Sequence, residues 1–232
     1  MIPYNLEQLS WDIDTCPFCD LLAGEPWLPF RQFFTVAEAP SELMYETESF
    51  GVAADIGMIV EGYSLIISKE HIPSLACSNQ LDELDHVKQK LRLALQATYG
   101  DSILFEHGAA NFYRNAGCCI DHAHLHVVPS RVDLLPYLRR DYPFRPIANV
   151  SELCPLARKR GYLFYEDREG CGFVAEVGVA PSQYFRRVLC LALGNIVPWD
   201  WRDYIRFAQD LGTRDKIGRT REKLIPALQR FG

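Results

Sequence analysis

The stretch GCCIDHAHLHVVP, residues 117–129, holds three of the six histidines of this 232-residue chain. His122, His124 and His126 stand at every second position, and apolar residues occupy the positions between and after them. In a β-strand, residues two positions apart point to the same face. The stretch therefore predicts a strand that ends at Pro129 and carries three imidazoles in a row on one face.

Three neighbouring imidazoles need a binding partner, because protonated rings so close together would repel one another. The residue types leave three possibilities open: a metal ion, an anion such as phosphate, or both. The intervening side chains of Ala123, Leu125 and Val127 are expected to face the core.

The composition is that of an ordinary globular protein, with 48% hydrophobic residues and a formal net charge of −6. No apolar run reaches the roughly 18 residues that a membrane-spanning helix needs. Acidic residues near the N-terminus do not fit a signal peptide, so we predict a cytoplasmic protein. The mild acidity argues against broad non-specific binding to nucleic acid but leaves a local basic pocket for a small phosphate ligand open, and no membrane partner is expected. The eight cysteines are expected to be thiols or metal ligands rather than disulfides.

Apolar runs and alternation predict strands that surround this histidine stretch in sequence, at residues 50–54, 63–68 and 102–107. Leucines at helical spacing predict a helix that is capped by Ser78 or Asn79 and ends at Gly100. Strands therefore cluster and helices interrupt them without a βαβ rhythm, which indicates the α+β class.

The second half of the chain differs in composition. Residues 130–147 contain several prolines and arginines and are predicted to be an irregular crossover. A β-hairpin is expected about residues 167–170. An amphipathic helix is expected to start at Pro181, with Ser182 as its cap, and to end at Gly194. The tail from Trp199 is expected to mix helix and loop.

The histidine stretch resembles a known family, since HAHLHVV fits the pattern His-φ-His-φ-His-φ-φ (φ, apolar) of the histidine triad (HIT) proteins. Three earlier segments are also similar to that family: CPFCDLLAGE to its metal-binding stretch, VAADI to its ribose-binding strand, and EGYSLIISKEHIPSL to its G-H-x-L segment. In the last segment, Tyr63 replaces the usual histidine and Ser68 the usual proline. The resemblance covers roughly residues 14–130.

The resemblance implies a HIT-like antiparallel sheet with flanking helices. We expect this HIT-like domain, with its N-terminal zinc-binding stretch, to span residues 1–135. Residues 136–232 would form a C-terminal α/β extension packed on the same core.

The resemblance also implies a nucleotidyl hydrolase that cleaves a nucleoside 5′-phosphoryl bond through a nucleotidyl-histidine intermediate. The substrate would be a dinucleoside polyphosphate, a nucleoside phosphoramidate or an acyl-adenylate. By family position, His124 is the nucleophile and His126 contacts the α-phosphate, with His122 beside them. A neutral imidazole suits this role because it attacks phosphorus readily and leaves readily afterwards.

Three alternatives stay open. The second step could use phosphate or a sugar phosphate, which would make the protein a phosphorylase or nucleotidyltransferase. Catalysis could have lapsed, which would leave a nucleotide-binding zinc protein. All the histidines could instead be zinc ligands, with no nucleotide pocket.

One departure from the family pattern lies just before the triad. The family usually has Gln-Ser or Gln-Thr where this chain has Cys118 and Cys119. A thiol is a weaker hydrogen-bond donor than a hydroxyl, so help to the leaving group could pass to another residue or to a backbone N–H. Cys119 is also a candidate second nucleophile.

Four residues outside the triad are candidate nucleotide contacts. Asp55 takes the place of the family's ribose-binding acid, although it could instead stabilise a turn. Asn111 is positioned to contact the phosphate or the leaving group, with Asn115 as a competitor. Glu106 and His107 end a predicted strand and either reach the pocket or form a structural ion pair.

The spacing Cys16-x-x-Cys19 alone leaves a redox pair, half a zinc knuckle or coincidence open. The resemblance implies that His71 and His122 complete a zinc site with these two cysteines. Two thiolates and two imidazoles form the closed tetrahedral ligand set of a structural Zn²⁺.

The helix predicted from Pro181 carries two arginines, Arg186 and Arg187, and has Gln183 near its start. These side chains could reach a phosphate. The favoured interpretation is that the helix packs its apolar side on the sheet and leaves both arginines solvated. The extension would shape the leaving-group pocket or cover a surface through which smaller relatives dimerise, so a homodimer stays open.

Overall fold

The computed structural model describes residues 16–24, 28–111, 120, 122–157 and 160–231. Its helices are α1 (Pro17–Leu22), α2 (Leu28–Arg31), α3 (Leu81–Thr98), α4 (Leu135–Asp141), α5 (Cys154–Ala157), α6 (Tyr184–Ala192), α7 (Asp203–Arg206) and α8 (Thr213–Arg230). Its strands are β1 (Leu43–Glu46), β2 (Phe50–Ala54), β3 (Ser64–Ser68), β4 (Ser102–Gly108), β5 (His124–Pro129), β6 (Arg145–Ile147), β7 (Tyr162–Glu166) and β8 (Gly172–Glu176). Short 3₁₀ turns cover Leu75–Cys77 and Val150–Leu153.

The strands of the described residues form one antiparallel eight-stranded sheet in the order β1-β2-β3-β5-β4-β7-β8-β6. The predicted α+β class with an antiparallel sheet and flanking helices is therefore confirmed. The histidine strand β5 lies in the interior of the sheet, between β3 and β4. Its His126 faces Leu65 of β3 on one side and Phe105 of β4 on the other, and His124 faces Ile67.

The two faces of the sheet have different covers. Helix α3 packs against β4, and its Leu84 shares a small apolar cavity with Leu125 of β5. On the other face, Phe185 of α6 stacks on Phe105 with the ring centroids 4.8 Å apart. Because neighbouring residues of a strand alternate between faces, His124 and His126 lie on the α6 side and Leu125 on the α3 side.

Residues beyond 136 continue the sheet, since β7 pairs with β4 and β8 with β7. The hairpin predicted about residues 167–170 is present between β7 and β8, and Gly170 adopts φ +86°. The domain boundary at residues 135 and 136 stays a prediction.

The prediction that residues 130–147 are irregular was wrong, because they contain α4 and β6. Pro136 stands in the first turn of α4, where the missing N–H costs no hydrogen bond. Pro146 lies in β6, which is an edge strand and needs no second set of ladder bonds. Both prolines occupy the positions in which regular structure tolerates them.

The predicted helix caps were also wrong. Helix α3 begins after Gln80, because residues Leu75–Cys77 form a 3₁₀ turn that includes Ser78 in its hydrogen bonding. Helix α6 begins after Gln183, which has a left-handed backbone (φ 56°) and a buried side chain. That side chain accepts a hydrogen bond from the Trp201 N–H at 3.1 Å and donates to Asp200 at 3.2 Å. Contacts of Gln183 with a later segment of the chain therefore determine where α6 begins.

The tail contains α7 and the long α8, which packs against α3 and β1. Arg221 of α8 donates to the carbonyls of Glu42 (2.7 Å) and Ser41 (2.6 Å), which fixes the helix beside the sheet edge. Among the described residues, none of the helices is both long enough and apolar enough to cross a bilayer.

Candidate functional site

Two of the three triad histidines lie in β5, while His122 precedes it in a bend. The prediction that one strand carries all three imidazoles was therefore wrong for His122. The His122 N–H donates to the Ile120 carbonyl at 2.8 Å, and the chain joins the ladder only at Ala123, whose carbonyl accepts from Ser68 at 3.2 Å. This bend turns the His122 ring towards Cys16 and away from the line of His124 and His126.

His124 has a defined hydrogen-bonding state. Its Nδ1 lies 2.7 Å from the backbone carbonyl of His122, and a carbonyl only accepts, so Nδ1 carries the proton. Burial lowers the pKa of His124 and so favours the neutral ring. In that state, Nε2 holds a lone pair. The edge of Phe18 approaches the ring with a centroid distance of 5.0 Å and restricts its orientation.

His126 lies next to His124, with the ring centroids 4.8 Å apart. It stacks on Phe105 at 4.8 Å, and its Nδ1 lies 2.9 Å from the hydroxyl of Tyr63. Burial holds its pKa well below the usual range. His126 is therefore a neutral imidazole whose Nδ1 is hydrogen-bonded to Tyr63, and its ring lies next to that of His124.

A cleft opens in front of these two rings. The sheet forms its floor through apolar residues that include Leu65, Ile67 and Ala53, and Phe18 of α1 lines it too. Gln183, Arg186 and Trp201 from the C-terminal part of the chain also line the cleft. The cleft thus combines a largely apolar lining with a few convergent polar groups, as small-molecule sites do.

The predicted cluster of Cys16, Cys19, His71 and His122 is assembled beside this cleft. The four potential ligand atoms all lie within 4.8 Å of one another. The Cys19 Sγ lies 3.1 Å from Nδ1 of His71 and 3.6 Å from Nδ1 of His122, and the Cys16 Sγ lies 3.4 Å from the same atom of His122.

The hydrogen bonding of His122 suits a metal ligand. Its Nε2 lies 2.6 Å from the Ser68 carbonyl and must donate to it, which leaves the Nδ1 lone pair directed at the thiols. Burial lowers the pKa of His122 to about 4 and raises that of Cys16 to about 12. A buried thiolate needs a cation, so two thiols and two neutral imidazoles fit Zn²⁺.

Asp55 lines the cleft, but both of its oxygens have partners within the chain. Oδ1 accepts from the Gly57 N–H at 2.8 Å, as the turn-stabilising alternative predicts, and Oδ2 accepts from Nη1 of Arg186 at 2.8 Å. Arg186 is only 3% exposed, so the prediction of two solvated arginines was wrong for this one. Arg187 is exposed, with its guanidinium 3.7 Å from the ring centroid of Trp199.

Glu106 and His107 point to opposite faces of β4. Glu106 faces α3, where it accepts from the Leu75 N–H at 2.7 Å and from the Tyr162 hydroxyl at 2.6 Å. The prediction that Glu106 contacts a nucleotide was therefore wrong. Burial raises the pKa of Glu106 to about 7.

His107 lines the cleft, and its Nε2 accepts from the Phe185 N–H at 3.4 Å. Burial lowers its pKa to about 3, so the ring is neutral. Asn111 is exposed and is not among the residues that line the cleft. Cys118, Cys119 and Asn115 lie outside the described residues.

Two residues of the site were missed from the sequence. Tyr63 was interpreted only as a replacement for the usual histidine, although its hydroxyl lies 2.9 Å from Nδ1 of His126. Trp201 gave no signal, because its place in the cleft depends on the fold of a segment far along the chain.

Comparison with known proteins agrees with the triad pattern. The HIT domain model matches residues 36–133. Two uncharacterized HIT-like proteins of Mycobacterium tuberculosis, from strains CDC 1551 / Oshkosh and ATCC 25618 / H37Rv, are each 29% identical over 119 residues, which is 50% of this chain and 72% of the relative.

Similar solved structures include a Zn-bound histidine triad family protein from Mycobacterium smegmatis, with 24% identity, coverage of 62% of this chain and 91% of that chain, and a TM-score of 0.37. A member of the HIT family from Bacillus subtilis is 26% identical, with coverage of 49% of this chain and 72% of that chain and a TM-score of 0.35. The triad histidines fall inside the matched range and Cys16 and Cys19 before it. Residues 36–133 of this chain therefore match the HIT domain family.

Proposed function

We propose that this protein is a nucleotidyl hydrolase in which His124 is the covalent nucleophile. The observation that carries the proposal is the 2.7 Å hydrogen bond from Nδ1 of His124 to the His122 carbonyl. It fixes the tautomer in which Nε2 holds the lone pair, and burial keeps that ring neutral. The nucleophile therefore needs no separate base to activate it.

The first step would form a bond between Nε2 of His124 and the α-phosphorus. The bond from phosphorus to the leaving group breaks at the same time, and the leaving group departs with the electron pair and takes a proton from solvent. Water then attacks the phosphorus and releases one proton to solvent, the P–N bond breaks with its electron pair returning to Nε2, and a nucleoside monophosphate and neutral His124 result. His126, with its ring beside that of His124, would donate to an equatorial phosphoryl oxygen.

We also propose that Cys16, Cys19, His71 and His122 hold a structural Zn²⁺. The support is the convergence of their ligand atoms within 4.8 Å and the N–H donation of His122 to Ser68. Bound there, Zn²⁺ would supply no chemistry beyond holding α1 against the start of β5. Phe18 in α1 would thereby keep its contact with His124.

The proposal is tested by intact-protein mass spectrometry after brief incubation with adenosine 5′-phosphoramidate or diadenosine tetraphosphate, followed by an acid-free quench. We expect a mass increase of one adenylyl group that maps to His124. His124→Asn should lose both the adduct and turnover. His86→Asn is the matched control, because His86 is exposed on α3.

Four outcomes would contradict parts of the proposal. Turnover that persists in His124→Asn, or an adduct on another residue, would refute the assigned nucleophile. Binding of AMP without any adduct would indicate a nucleotide-binding protein without catalysis. Formation of a nucleoside diphosphate when inorganic phosphate is present would identify a phosphorylase. The small-molecule nucleotide is the proposed partner, and a homodimer stays a prediction.

A further inference from the structure

The acid expected to hold a ribose is already engaged by the protein itself. Asp55 accepts from the Gly57 N–H through Oδ1 and from Arg186 through Oδ2, both at 2.8 Å. A carboxylate oxygen can accept a second hydrogen bond, so a ribose hydroxyl could still bind Asp55 if an oxygen were accessible. At 7% exposure, Asp55 offers little further surface to a ligand hydroxyl.

Arg186 is held in place by more than this ion pair. Its Nε donates to the Trp199 carbonyl at 2.8 Å, and Nη2 donates to the Gly57 carbonyl. Its guanidinium also lies 5.4 Å from the ring centroid of Tyr63. Because all three nitrogens have acceptors, a ribose could displace Arg186 only by breaking charge-assisted bonds in a buried site.

The space next to Asp55 is filled as well. A Cβ on Gly57 would lie 2.4 Å from Cβ of Trp201 and 2.7 Å from Nη2 of Arg186, so only glycine fits between them. The Trp201 backbone is in turn tied to the buried Gln183. The C-terminal part of the chain therefore forms a closed wall at this end of the cleft.

We infer that Arg186 occupies the position at Asp55 where the ribose hydroxyls would bind. The cleft therefore does not distinguish ligands that have 2′- and 3′-hydroxyls from ligands that lack them. This inference rests on the proposed function, since it concerns the sugar of a nucleoside 5′-phosphoryl ligand. The substrate class widens accordingly to nucleoside 5′-phosphoryl compounds with or without 2′- and 3′-hydroxyls. Arg186 is the specificity-determining residue.

The test compares the binding of AMP and 2′,3′-dideoxyAMP by isothermal titration calorimetry. For the wild-type protein, we expect Kd values within about twofold of each other. Arg186→Met frees Oδ2 of Asp55, and we expect it to prefer AMP by about tenfold or more, because hydrogen bonds to a charged group are strong. Arg187→Met is the matched control, since Arg187 lies on the same helix with its guanidinium over Trp199 and should keep the wild-type ratio.

The wild-type ratio decides the inference even if Arg186→Met does not fold, as judged by circular dichroism. A wild-type preference for AMP of about tenfold would overturn the inference alone and leave the proposed function standing. A folded Arg186→Met with the wild-type ratio would overturn it as well. If the wild-type protein binds neither nucleotide, the proposed function fails and the inference fails with it.

Discussion

The Tyr63 hydroxyl and Nδ1 of His126 lie 2.9 Å apart, and both side chains are buried. The hydroxyl is the partner that fixes this ring nitrogen, and it leaves Nε2 of His126 for the cleft. In this chain, a tyrosine thus positions the histidine that is proposed to contact the phosphoryl group.

Removing that hydroxyl should impair His126 without removing the aromatic core. In Tyr63→Phe, Nδ1 of His126 loses its buried partner, and we expect kcat to fall by about tenfold, in line with a lost hydrogen bond of about 1–2 kcal/mol. Long-range ¹⁵N–¹H NMR of histidine-labelled protein should show a changed tautomer signal for His126 alone. Tyr45→Phe, on the edge strand β1, should leave both measurements unchanged, and an unchanged His126 signal in Tyr63→Phe would refute the positioning role.

The metal cluster should contribute to stability. In Cys19→Ser, one of the four ligands is lost, and we expect zinc content measured by elemental analysis to fall below half an equivalent. The free energy of unfolding should drop by about 3 kcal/mol, which lowers the Tm by about 6–12 °C for a chain of this size. A chelator should lower the wild-type Tm by a similar amount. Cys171→Ser is the control, because Cys171 is exposed and outside the cluster, and equal zinc in both variants would contradict the assigned ligands.

Glu106 should make the stability depend on pH. Its pKa in the folded protein is about 7, above the ordinary value of 4.5, because burial disfavours the carboxylate. The folded protein therefore binds this proton more tightly than the unfolded chain does. This contribution is fully present below a pH of about 4.5 and is lost as the pH rises through about 7.

Glu106→Gln removes this titration while keeping a similar shape. Between about pH 5 and about pH 8, the decrease in unfolding free energy should be about 2–3 kcal/mol smaller in the variant than in the wild type. Urea denaturation at the two pH values measures it. If the variant and the wild type lose equal stability over this range, the raised pKa is refuted.

Arg92 should stabilise the joint between α3 and the β7–β8 hairpin. Its guanidinium pairs with the buried Glu166 and donates to the carbonyls of Ser102 (2.9 Å) and Asp167 (2.7 Å). Arg92→Met leaves the two carbonyls and Oε1 of Glu166 without a charged donor, although Lys88 still pairs with Oε2 of Glu166 at 2.8 Å, so the free energy of unfolding should fall by about 2–3 kcal/mol. Urea denaturation measures this loss.

The matched control for Arg92 is an exposed ion pair. Arg145 and Glu152 lie 3.7 Å apart with about half of each side chain exposed, so Arg145→Met should cost less than about 1 kcal/mol. Similar losses in the two variants would mean that the buried pair contributes no more than a surface one.

The sequence predicted those features that local pattern determines. The alternation of histidines with apolar residues identified β5, and the leucine spacing identified α3, because periodicity reflects which face is buried. The Cys-x-x-Cys spacing and the family resemblance together predicted the four members of the Cys/His cluster, whose potential ligand atoms lie within 4.8 Å of one another.

The features that sequence did not predict depend on contacts between distant segments. The direction of Glu106 follows from its register on β4, where one residue separates the α3 face from the cleft face. The burial of Arg186 follows from Asp55, 131 positions away, and nothing local distinguishes it from the exposed Arg187. The cap of α6 likewise depends on Trp201 and Asp200 rather than on its own turn.

The interior position of β5 has a consequence for motion. Ladder hydrogen bonds to β3 and β4 hold the strand of His124 and His126 on both sides, so its amide protons should exchange with solvent only through global unfolding. The opposite wall, around Trp201, is held by the side chains of Gln183 and Arg186 rather than by a strand ladder, so its amide protons should be less protected. Hydrogen exchange should therefore distinguish the two walls of the cleft, with the slowest amide protons on the histidine strand.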